Sequence, residues 1–278
     1  MAIVAGILLL IAGVLIFFMR KNLDKIYHMK ATETSTVQQL KEMAQSVRAD
    51  MGEGPSHWNQ QVELKGKVVC EHPLQGQFTD RPAVVVKTKI VREYEEYKES
   101  RDSEGKVTRR WVKRSDTLHD DTRDTSFSID DGSGSIHVSP SGAEYTLESV
   151  VNRFEPPGAM DRGNTISIGG FSLSLGNMSF GSSRRLLGYR IKESILPVGS
   201  DIYALGEVRD GTDGLTLNDP SNKEEPFLLS VKSEEELLSQ YGKTANIQKY
   251  AAIGLAAVSV GLVVWALLDP SVALFSLE

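Results

Sequence analysis

The most promising set of side chains for metal chemistry in this sequence is a histidine followed by three aspartates. His119, Asp120, Asp121 and Asp124 lie close together in the chain, and imidazole and carboxylate groups are ligands of divalent metals. Metal sites usually take their ligands from fixed positions that are supported by further hydrogen bonds. This run instead lies in a polar stretch between predicted strands, so a solvated loop is favoured over a metal site.

The single cysteine of the sequence has a histidine two positions further along the chain. In a strand, the side chains of Cys70 and His72 share one face. A thiol beside an imidazole is the arrangement of a cysteine nucleophile and its base. Pro73 ends the strand at this point, however, and a cysteine in a β-rich segment is favoured as a small core residue. The pair is therefore a weaker catalytic alternative, and one cysteine cannot form an internal disulfide.

A third acidic group, Asp210, Asp213 and Asp219, lies among glycines. Calcium binding is conceivable, but the spacing is not that of an EF-hand loop, and a turn is favoured. The sequence contains no G-x-S-x-G nucleophile motif, no phosphate-binding P-loop and no dinucleotide fingerprint. We therefore expect no catalytic residue, no bound metal and no cofactor.

The candidate partner surface consists of four basic residues on one predicted strand: Arg109, Arg110, Lys113 and Arg114. Three acidic residues of the preceding predicted strand could pair with them across a hairpin: Glu93, Glu95 and Glu96. The alternative is an ordinary solvated hairpin, which is favoured over a binding surface. The segment between the two apolar runs is close to neutral and has no clustered excess of cations, which predicts that the protein does not bind nucleic acid.

Two uncharged apolar runs are long enough to cross the ~30 Å hydrocarbon core of a bilayer as helices. The first covers residues 2–19 and the second covers residues 250–268. No Lys or Arg precedes the first run, and Arg20 and Lys21 follow it, which favours an uncleaved anchor over a signal peptide. Trp265 near the end of the second run suits a spanning helix with an interfacial aromatic residue better than a buried core helix.

The basic residues nearest to the two runs all lie on the side of the middle segment: Arg20, Lys21, Lys25, Lys30, Lys243 and Lys249. Neither terminal segment contains Lys or Arg. The positive-inside rule then places the middle segment in the cytoplasm and both termini outside. We predict an integral, multi-pass membrane protein.

Small residues fall near one face of each apolar run: Ala2, Gly6 and Gly13 in the first, and Gly254, Ala257 and Gly261 in the second. Such faces permit close approach of two helix backbones. The two helices could therefore pack together or self-associate, although Gly and Ala are common in membrane helices in any case.

The middle segment is predicted to be mainly β. Hydrophobic alternation predicts strands at residues 62–70, 83–97, 107–117, 125–129, 135–138, 165–175, 201–209 and 227–231. Gly66 and Gly206 lie at the centre of two similar strand segments, and a glycine inside a strand often marks a bend in a small barrel. An OB-like barrel is therefore one predicted arrangement.

Helices are predicted at three places in the middle segment: residues 35–51, 184–194 and 233–241. The first and the last begin with capping-box pairs, Ser35 with Gln38 and Ser233 with Glu236. The segment Asp210–Pro220 is predicted to be a turn.

The fold class that follows is an α+β membrane protein in which two transmembrane helices flank a mainly β soluble domain. The predicted boundaries are residues 1–21 and 249–269 for the two membrane helices and residues 56–245 for the β-rich domain. An amphipathic juxtamembrane helix is predicted at residues 30–52, and residues 270–278 form a short tail.

Five segments in the same order carry a resemblance to a known family: residues 64–77, 82–97, 124–144, 193–208 and 226–238. They resemble the GIDE domain, the beside-a-membrane module of MULAN-type membrane E3 ubiquitin ligases and of their prokaryotic relatives. The resemblance covers most of residues 62–238. It implies a module that lies between two transmembrane helices and recognises a substrate or partner. It also implies a C-terminal RING finger that recruits the ubiquitin-charged enzyme.

A RING finger needs about eight cysteine and histidine ligands for two zinc ions. This sequence has one cysteine, Cys70, and ten residues after the second apolar run. We therefore expect a form that lacks the RING finger, as in the prokaryotic members, and a prokaryotic cell membrane as its location.

The predicted function is that of a membrane-anchored recognition module without catalysis of its own. Its predicted partners are the lipid bilayer and an unidentified protein, with self-association through the helix faces as a further possibility. Two alternatives remain open. One is an E3 ubiquitin-protein transferase function, implied by the resemblance, and the other is an enzyme that depends on Cys70 or on a metal.

Overall fold

A computed structural model describes residues 2–51, 58–101, 105–157, 161–162, 165–168, 171–174, 183–212 and 214–268. The helices are α1 (Ala2–Ala31), α2 (Val37–Met51) and α3 (Glu234–Leu268). The strands are β1 (Asn59–Val69), β2 (Leu74–Gln75), β3 (Pro82–Arg101), β4 (Val107–Asp124), β5 (Phe127–Asp130), β6 (Ser135–Val138), β7 (Glu144–Thr146), β8 (Glu148–Glu155), β9 (Asp161–Arg162), β10 (Thr165–Ile168), β11 (Phe171–Ser174), β12 (Arg184–Pro197), β13 (Asp201–Gly211), β14 (Gly214–Asn218) and β15 (Leu228–Ser230).

Five strands close into a small barrel. The ring runs β1–β5–β6–β14–β13 and returns to β1. All of its pairs are antiparallel except β6 with β14. In chain order this is first, second, third, fifth and fourth strand, the connectivity of an OB-type barrel. The prediction of apolar helices that flank a mainly β domain with an OB-like barrel is confirmed.

The two strand glycines lie where the barrel backbone comes close to its neighbours. A Cβ atom on Gly66 would lie 2.5 Å from the carbonyl oxygen of Asp130 in β5. A Cβ atom on Gly206 would lie 2.7 Å from the ring of Phe227. Because real Cβ atoms do not approach so closely, these positions need glycine, as strand glycines at bends and close contacts do. The interior is apolar, with Leu64, Ile129 and Leu217 fully buried.

A second sheet is formed by the segments between successive barrel strands. The long strand β3 pairs antiparallel with β4 on one side and with β12 on the other, and β12 pairs with β8. The near half of β3, from Ala83 to Ile90, is largely buried, and exposure increases towards Arg101. The β3–β4 hairpin therefore projects away from the core. A separate small sheet contains β9, β10 and β11, so the single strand predicted at residues 165–175 is two strands within the described residues.

The helix predicted at residues 184–194 is wrong, because this segment is strand β12. Tyr189, Ile191, Glu193 and Ile195 alternate along the strand and are all buried. A charged residue in this row breaks the apolar alternation in the sequence. The Glu193 carboxylate is satisfied by loop groups: it accepts hydrogen bonds from the amides of Gln77 (2.7 Å) and Phe78 (3.0 Å). A buried carboxylate with such partners fits a strand interior.

The turn predicted at Asp210–Pro220 is partly wrong. Strand β13 continues to Gly211, and β14 begins at Gly214, so the turn itself is short. Leu217 of β14 is fully buried in the barrel. The capping box predicted at Ser233 and Glu236 is confirmed, since each backbone amide donates to the other side chain, at 3.1 and 3.3 Å.

Helices α1 and α3 form an antiparallel hairpin. Near one end, the Ser259 hydroxyl donates to the carbonyl oxygen of Ala5 at 2.9 Å. Further along, the Asn22 amide donates to Gln248 Oε1 at 3.0 Å. The helix predicted at residues 233–241 and the second apolar run are parts of one continuous helix. Both helices are long and apolar enough to cross a membrane by length and composition, and only 11% of the apolar window of each is buried.

The predicted small-residue faces do not form the contact between the two helices. A Cβ atom on Gly6, Gly13, Gly254 or Gly261 would meet nothing within 4 Å. The buried small residues of the contact are instead Ala5, Ala12, Ala252 and Ser259. Close helix packing is therefore present but uses a different face of each helix, and self-association through the predicted faces stays a prediction.

The polar ends of the hairpin are joined to the barrel by a shared apolar cluster. Met29 of α1 and Leu237 of α3 are buried together with Tyr203 and Leu205 of β13. Lys25 of α1 forms an ion pair with Glu144 at 2.5 Å. Helices α1 and α3 are therefore packed directly on the β-rich domain.

Helix α2 is docked on the barrel through both of its ends. Its capping box is Thr36 with Gln39, one residue later than the predicted pair of Ser35 and Gln38. The Asp131 carboxylate of the β5–β6 turn accepts a hydrogen bond from the Val37 amide at 2.8 Å. Near the other end, Arg48 forms an ion pair with Asp210, whose side chain is fully buried. A carboxylate at a helix N-terminus and a paired buried charge both stabilise this docking.

Candidate functional site

The far half of the second sheet is the most distinctive surface of the molecule. We call it the distal sheet and define it as residues 91–101 of β3, 107–117 of β4 and 184–190 of β12. Its strands are long because β-branched and aromatic residues alternate with charged ones on an antiparallel ladder, a pattern typical of solvated strands. Most of its side chains on β4 and at the far end of β3 are exposed, so charged and aromatic groups decide its surface chemistry.

The acidic residues of β3 pair mainly with β12. Glu93 contacts Arg190 at 2.6 Å, Glu96 contacts Arg184 at 2.8 Å, and Glu95 forms an ion pair with Arg185. The prediction that these acids lie opposite the basic residues of β4 is confirmed in part, because Glu95 lies opposite Lys113 and Glu96 also reaches Arg114, but their closest partners are on β12. The sequence interpretation missed these arginines because it assigned residues 184–194 to a helix.

Two of the acidic residues of β3 do reach β4. Glu96 also lies 3.8 Å from Arg114, and Glu99 contacts Arg109 at 3.1 Å. The hydrogen bond from Arg184 holds the pKa of Glu96 below its ordinary value, so this carboxylate stays ionised at neutral pH. Pairs of this kind are exposed and weak.

The basic residues of β4 keep a surplus of positive charge. Among the residues that the structure describes, no carboxylate lies within 4.0 Å of the charged groups of Arg110 and Lys113, and both side chains are exposed. In register, Arg110 lies opposite Lys98, and Lys113 lies opposite Glu95. The strand therefore presents positive charge on both of its faces, since Arg109 and Lys113 alternate with Arg110 and Arg114.

A half-exposed aromatic group lies in the middle of this basic strand. The Trp111 and Tyr97 rings meet edge to face at 5.2 Å, and each is about 40% exposed, at 40% and 39%. The Arg185 guanidinium lies over the Trp111 ring at 5.0 Å. Trp, Tyr and Arg together are the residues that dominate binding energy at protein interfaces. This arrangement is suited to recognition by contact.

The four metal-ligand candidates lie on strand β4 and not in a loop, so the predicted loop is wrong. Asp120 pairs with Lys89 at 2.7 Å, and its pKa is lowered by that hydrogen bond. Asp124 accepts a hydrogen bond from the Tyr145 hydroxyl at 3.2 Å. In the part of the chain that the structure describes, no group of three or more His, Cys, Asp or Glu side chains is arranged to hold a metal ion. His119 and Asp121 contribute to no such group.

Cys70 and His72 follow strand β1 directly. Cys70 is partly buried against the barrel core, with its Sγ 3.7 Å from the carbonyl oxygen of Ser126. His72 is exposed. This placement is that of a small residue at the margin of the core, and a catalytic role of the pair stays an untested prediction.

The acidic residues proposed for calcium bind basic groups of the chain itself. Asp210 holds Arg48 of α2 through two hydrogen bonds, one of them 2.8 Å long. Asp219 pairs with Lys223. Asp213 lies outside the described residues. Asp210 and Asp219 therefore act in docking and loop structure, and the Arg48 partner was not visible in the sequence because it lies far away in the chain.

A cleft of about 900 Å³ lies between β1, the β5–β6 turn and the first turn of α3. Lys65 pairs there with Glu63 and Glu234, at 2.9 Å each, and the Tyr203 hydroxyl donates to Glu63 at 2.9 Å. Burial lowers the pKa of Lys65, but the hydrogen bonds that its ammonium group donates to these carboxylates, together with their negative charge, outweigh burial and raise the pKa overall. Burial and Glu63 raise the pKa of Tyr203. The charges of the cleft are thus used to hold α3 on the barrel, and the distal sheet is the stronger candidate site.

Comparison with known proteins gives one family match and two curated relatives. The family model for GIDE, described as an E3 ubiquitin ligase, matches residues 95–265. The chain is 27% identical over 243 residues to the E3 ubiquitin-protein ligase SP1 of Arabidopsis thaliana, a match that covers 85% of this chain and 63% of the relative. It is 24% identical over 270 residues to the E3 ubiquitin-protein ligase SPL1 of the same plant, covering 93% of this chain and 69% of the relative.

No solved structure matches the chain significantly. Both relatives are plant proteins, so they give no support to the predicted prokaryotic origin. The chain spans less than two thirds of the length of SP1.

Proposed function

This chain belongs to the GIDE family, and on that premise we propose that it is a membrane-anchored recognition module of a ubiquitin-ligase system. In this proposal α1 and α3 hold the barrel at a membrane, and the distal sheet binds a protein partner. The observation that carries it is the exposed Arg110, Trp111 and Lys113 surface on a domain that is packed directly onto two apolar helices. The proposal retains the partner surface predicted from Arg109, Arg110, Lys113 and Arg114.

The helix hairpin supports membrane anchoring through the alignment of its two apolar runs. The first run ends at Met19 and the second begins at Tyr250, and the bond between Asn22 and Gln248 lies within three residues of both boundaries. The two polar–apolar boundaries therefore lie at nearly the same level along the hairpin. Eighteen helical residues span about 27 Å, close to the thickness of the hydrocarbon core. A common boundary is what one membrane surface requires of two spanning helices.

The proposed orientation places the β-rich domain in the cytoplasm. The basic residues next to the boundary, such as Arg20, Lys21 and Lys249, lie on the domain side of both helices. Protease treatment of sealed membrane vesicles with the cytoplasmic face outward should cleave the domain. Cleavage only after the vesicles are opened would show the opposite orientation.

A second candidate function, ubiquitin transfer by the chain itself, is favoured by the family match alone. The two relatives are named as E3 ubiquitin-protein ligases. The purified chain, mixed with ubiquitin, ATP, an activating enzyme and a panel of conjugating enzymes, should form no ubiquitin conjugates if it acts in recognition only. Conjugates that form in its presence, and are lost without it, would support the transferase.

Crosslinking in intact membranes tests the recognition function. The unaltered chain and the Arg110→Glu/Lys113→Glu variant are crosslinked, purified and analysed by mass spectrometry. The control variant Lys87→Glu/Lys192→Glu makes the same charge change on exposed lysines in the near half of the second sheet. We expect a reproducible set of partners that the distal variant loses and the control keeps. Equal partner sets for all three proteins would contradict the role of the distal sheet.

A further inference from the structure

Strand β4 forms a long edge of the second sheet. Over the described part of the chain it pairs with β3 alone, while β3 is covered on its other side by β12. From Val107 to Thr117 the pairing with β3 has no register shift, and the one irregularity follows at Leu118. Residues 107–124 contain neither glycine nor proline. Such an edge presents a row of unused backbone N–H and C=O groups, which is the template for addition of another strand.

We infer that this edge accepts an extended acidic peptide segment as an additional β-strand, an inference that rests on the proposed recognition function. Natural sheets usually protect an edge with charged side chains, bulges or proline. In the stretch from Val107 to Thr117 this protection is one-sided, because all the charges up to Arg114 are positive. A basic edge repels other basic strands and selects an acidic one.

The distribution of charge on β4 specifies where the acidic groups of the ligand lie. Side chains of an added strand alternate between the two faces of the sheet and meet the neighbouring side chains of β4. Arg109 and Lys113 lie on one face, and Arg110 and Arg114 lie on the other. Acidic residues on both faces of the ligand are therefore matched. Arg110 and Lys113 contribute most, since they have no carboxylate within 4.0 Å among the described residues.

Trp111 favours a ligand that has an apolar residue between its acidic residues. It lies between Arg109 and Lys113 on one face, is 40% exposed and is supported by Tyr97 and Arg185. A large apolar side chain on an added strand would cover the exposed part of this ring, as cross-strand aromatic pairs do. The preferred ligand is thus an extended segment in which one apolar residue is flanked by acidic residues.

A second copy of the chain is the main competing occupant. The C-terminal half of β4 is acidic, with Asp116, Asp120, Asp121 and Asp124, and an antiparallel copy would bring it near the basic N-terminal half. Three of these aspartates already have partners within the molecule: Asp116 contacts Arg92, Asp120 contacts Lys89, and Asp124 accepts from Tyr145. The irregularity at Leu118 also lies at the centre of such a pairing. Both features favour a separate acidic segment.

The test measures binding of a defined peptide to the full chain in lipid nanodiscs by fluorescence anisotropy. The probe is a labelled octapeptide of glutamate and threonine with one central leucine. Two further peptides carry N-methyl groups on alternate amides, in opposite phases, so that the methyl groups face β4 in one of them and solvent in the other. Arg110→Glu/Lys113→Glu is the site variant and Lys87→Glu/Lys192→Glu is its matched control.

We expect the site variant to weaken peptide binding about tenfold or more and the control less than about twofold. One N-methylated peptide should bind about tenfold more weakly than the unmodified probe, because it loses several main-chain hydrogen bonds, while the opposite phase binds normally. Equal affinity of the two methylated peptides, or no binding of the probe, would overturn strand addition while leaving the crosslinking result for the recognition function intact. Self-association of the chain without peptide, broken both by the site variant and by Asp120→Lys/Asp121→Lys, would identify the second copy as the occupant and also overturn the inference.

Discussion

The barrel and the distal sheet are both antiparallel β-structure for the most part, but the barrel encloses apolar side chains whereas the distal sheet exposes many charged ones. In the barrel, Leu64, Ile129 and Leu217 are fully buried, and the strands close into a ring without free edges. In the distal sheet, arginine–glutamate pairs lie on both faces and the half-exposed rings of Tyr97 and Trp111 lie on one, and no described strand other than β3 pairs with β4. Apolar burial stabilises a fold far more than exposed ion pairs do. We therefore infer that the barrel and helices provide stability, whereas the distal sheet is available for binding.

The largest difference in stability is expected between two variants, one that removes a core side chain of the barrel and one that removes the central ring of the distal sheet. Leu64→Ala removes a fully buried side chain and should lower the free energy of unfolding by about 3 kcal/mol. Trp111→Ala removes a larger side chain that is 40% exposed and should cost about 1 kcal/mol or less. Urea unfolding of the detergent-solubilised chain, followed by circular dichroism, measures both. Similar losses for the two variants would show that the distal sheet belongs to the stabilising core.

The second comparison uses one ion pair from each region. Arg48→Ala leaves the fully buried carboxylate of Asp210 without this arginine, and removing one partner of a buried charged pair is strongly destabilising. Arg109→Ala removes an exposed pair with Glu99 and should have little effect. We expect the loss of stability to be several-fold larger for Arg48→Ala. Limited proteolysis should also release α2 only in that variant, and equal protection of α2 in both would contradict its docking through Arg48.

The features that were predicted correctly from the sequence depend on residues that lie close together in the chain or on a regular hydrophobic pattern. The capping box of Ser233 and Glu236 was predictable because both partners lie within one helical turn. Gly66 and Gly206 indicated a barrel because close backbone approach leaves a glycine in an otherwise apolar strand. Both signals are local, and the barrel interior follows directly from hydrophobic alternation.

The features that the sequence did not reveal depend on partners far away in the chain. Glu193 looks misplaced in a strand until its hydrogen bonds from Gln77 and Phe78 are known, and this led to the wrong prediction of a helix there. Because of that error, the arginines of β12 that pair with the acidic residues of β3 were not identified. The basic residues of β4 were predicted as a partner surface, but the surplus of positive charge, which arises because Glu95 pairs with Arg185, is visible only in the fold.

The third prediction concerns pH and is expected to be smaller. Burial raises the pKa of Asp131, but hydrogen bonds from Val37, Ser133 and Gly134 outweigh it and lower the pKa below the usual value. A lowered folded-state pKa gives stability that is present above the unfolded pKa of about 3.9 and is lost as pH falls through the folded value.

Asp131→Asn should therefore cost about 1 kcal/mol at neutral pH, the usual value of a helix cap, and less below about pH 3. Thermal unfolding between pH 2 and 7, a window chosen around the unfolded pKa of about 4, measures the difference. Asp201→Asn, on a side chain that is 87% exposed, is the control and should follow the unaltered chain. If the pH profile of Asp131→Asn runs parallel to that of the unaltered chain, Asp131 is not the source of the stability lost at low pH.

The smallest expected change in stability belongs to the variant that should most affect binding. Arg110 lies opposite Lys98, so Arg110→Glu replaces a like-charge neighbour with an opposite one. Lys113 lies opposite Glu95, so Lys113→Glu does the reverse. The two effects oppose each other, and the double variant should unfold within about 0.5 kcal/mol of the unaltered chain. The measurement is the same urea unfolding, with each single variant as a control of opposite sign.

A loss above about 1 kcal/mol would mean that these charges hold the hairpin together, and lost binding would then report a damaged strand. Unchanged stability would instead mean that any loss of partner binding results from the changed charge of the β4 edge itself.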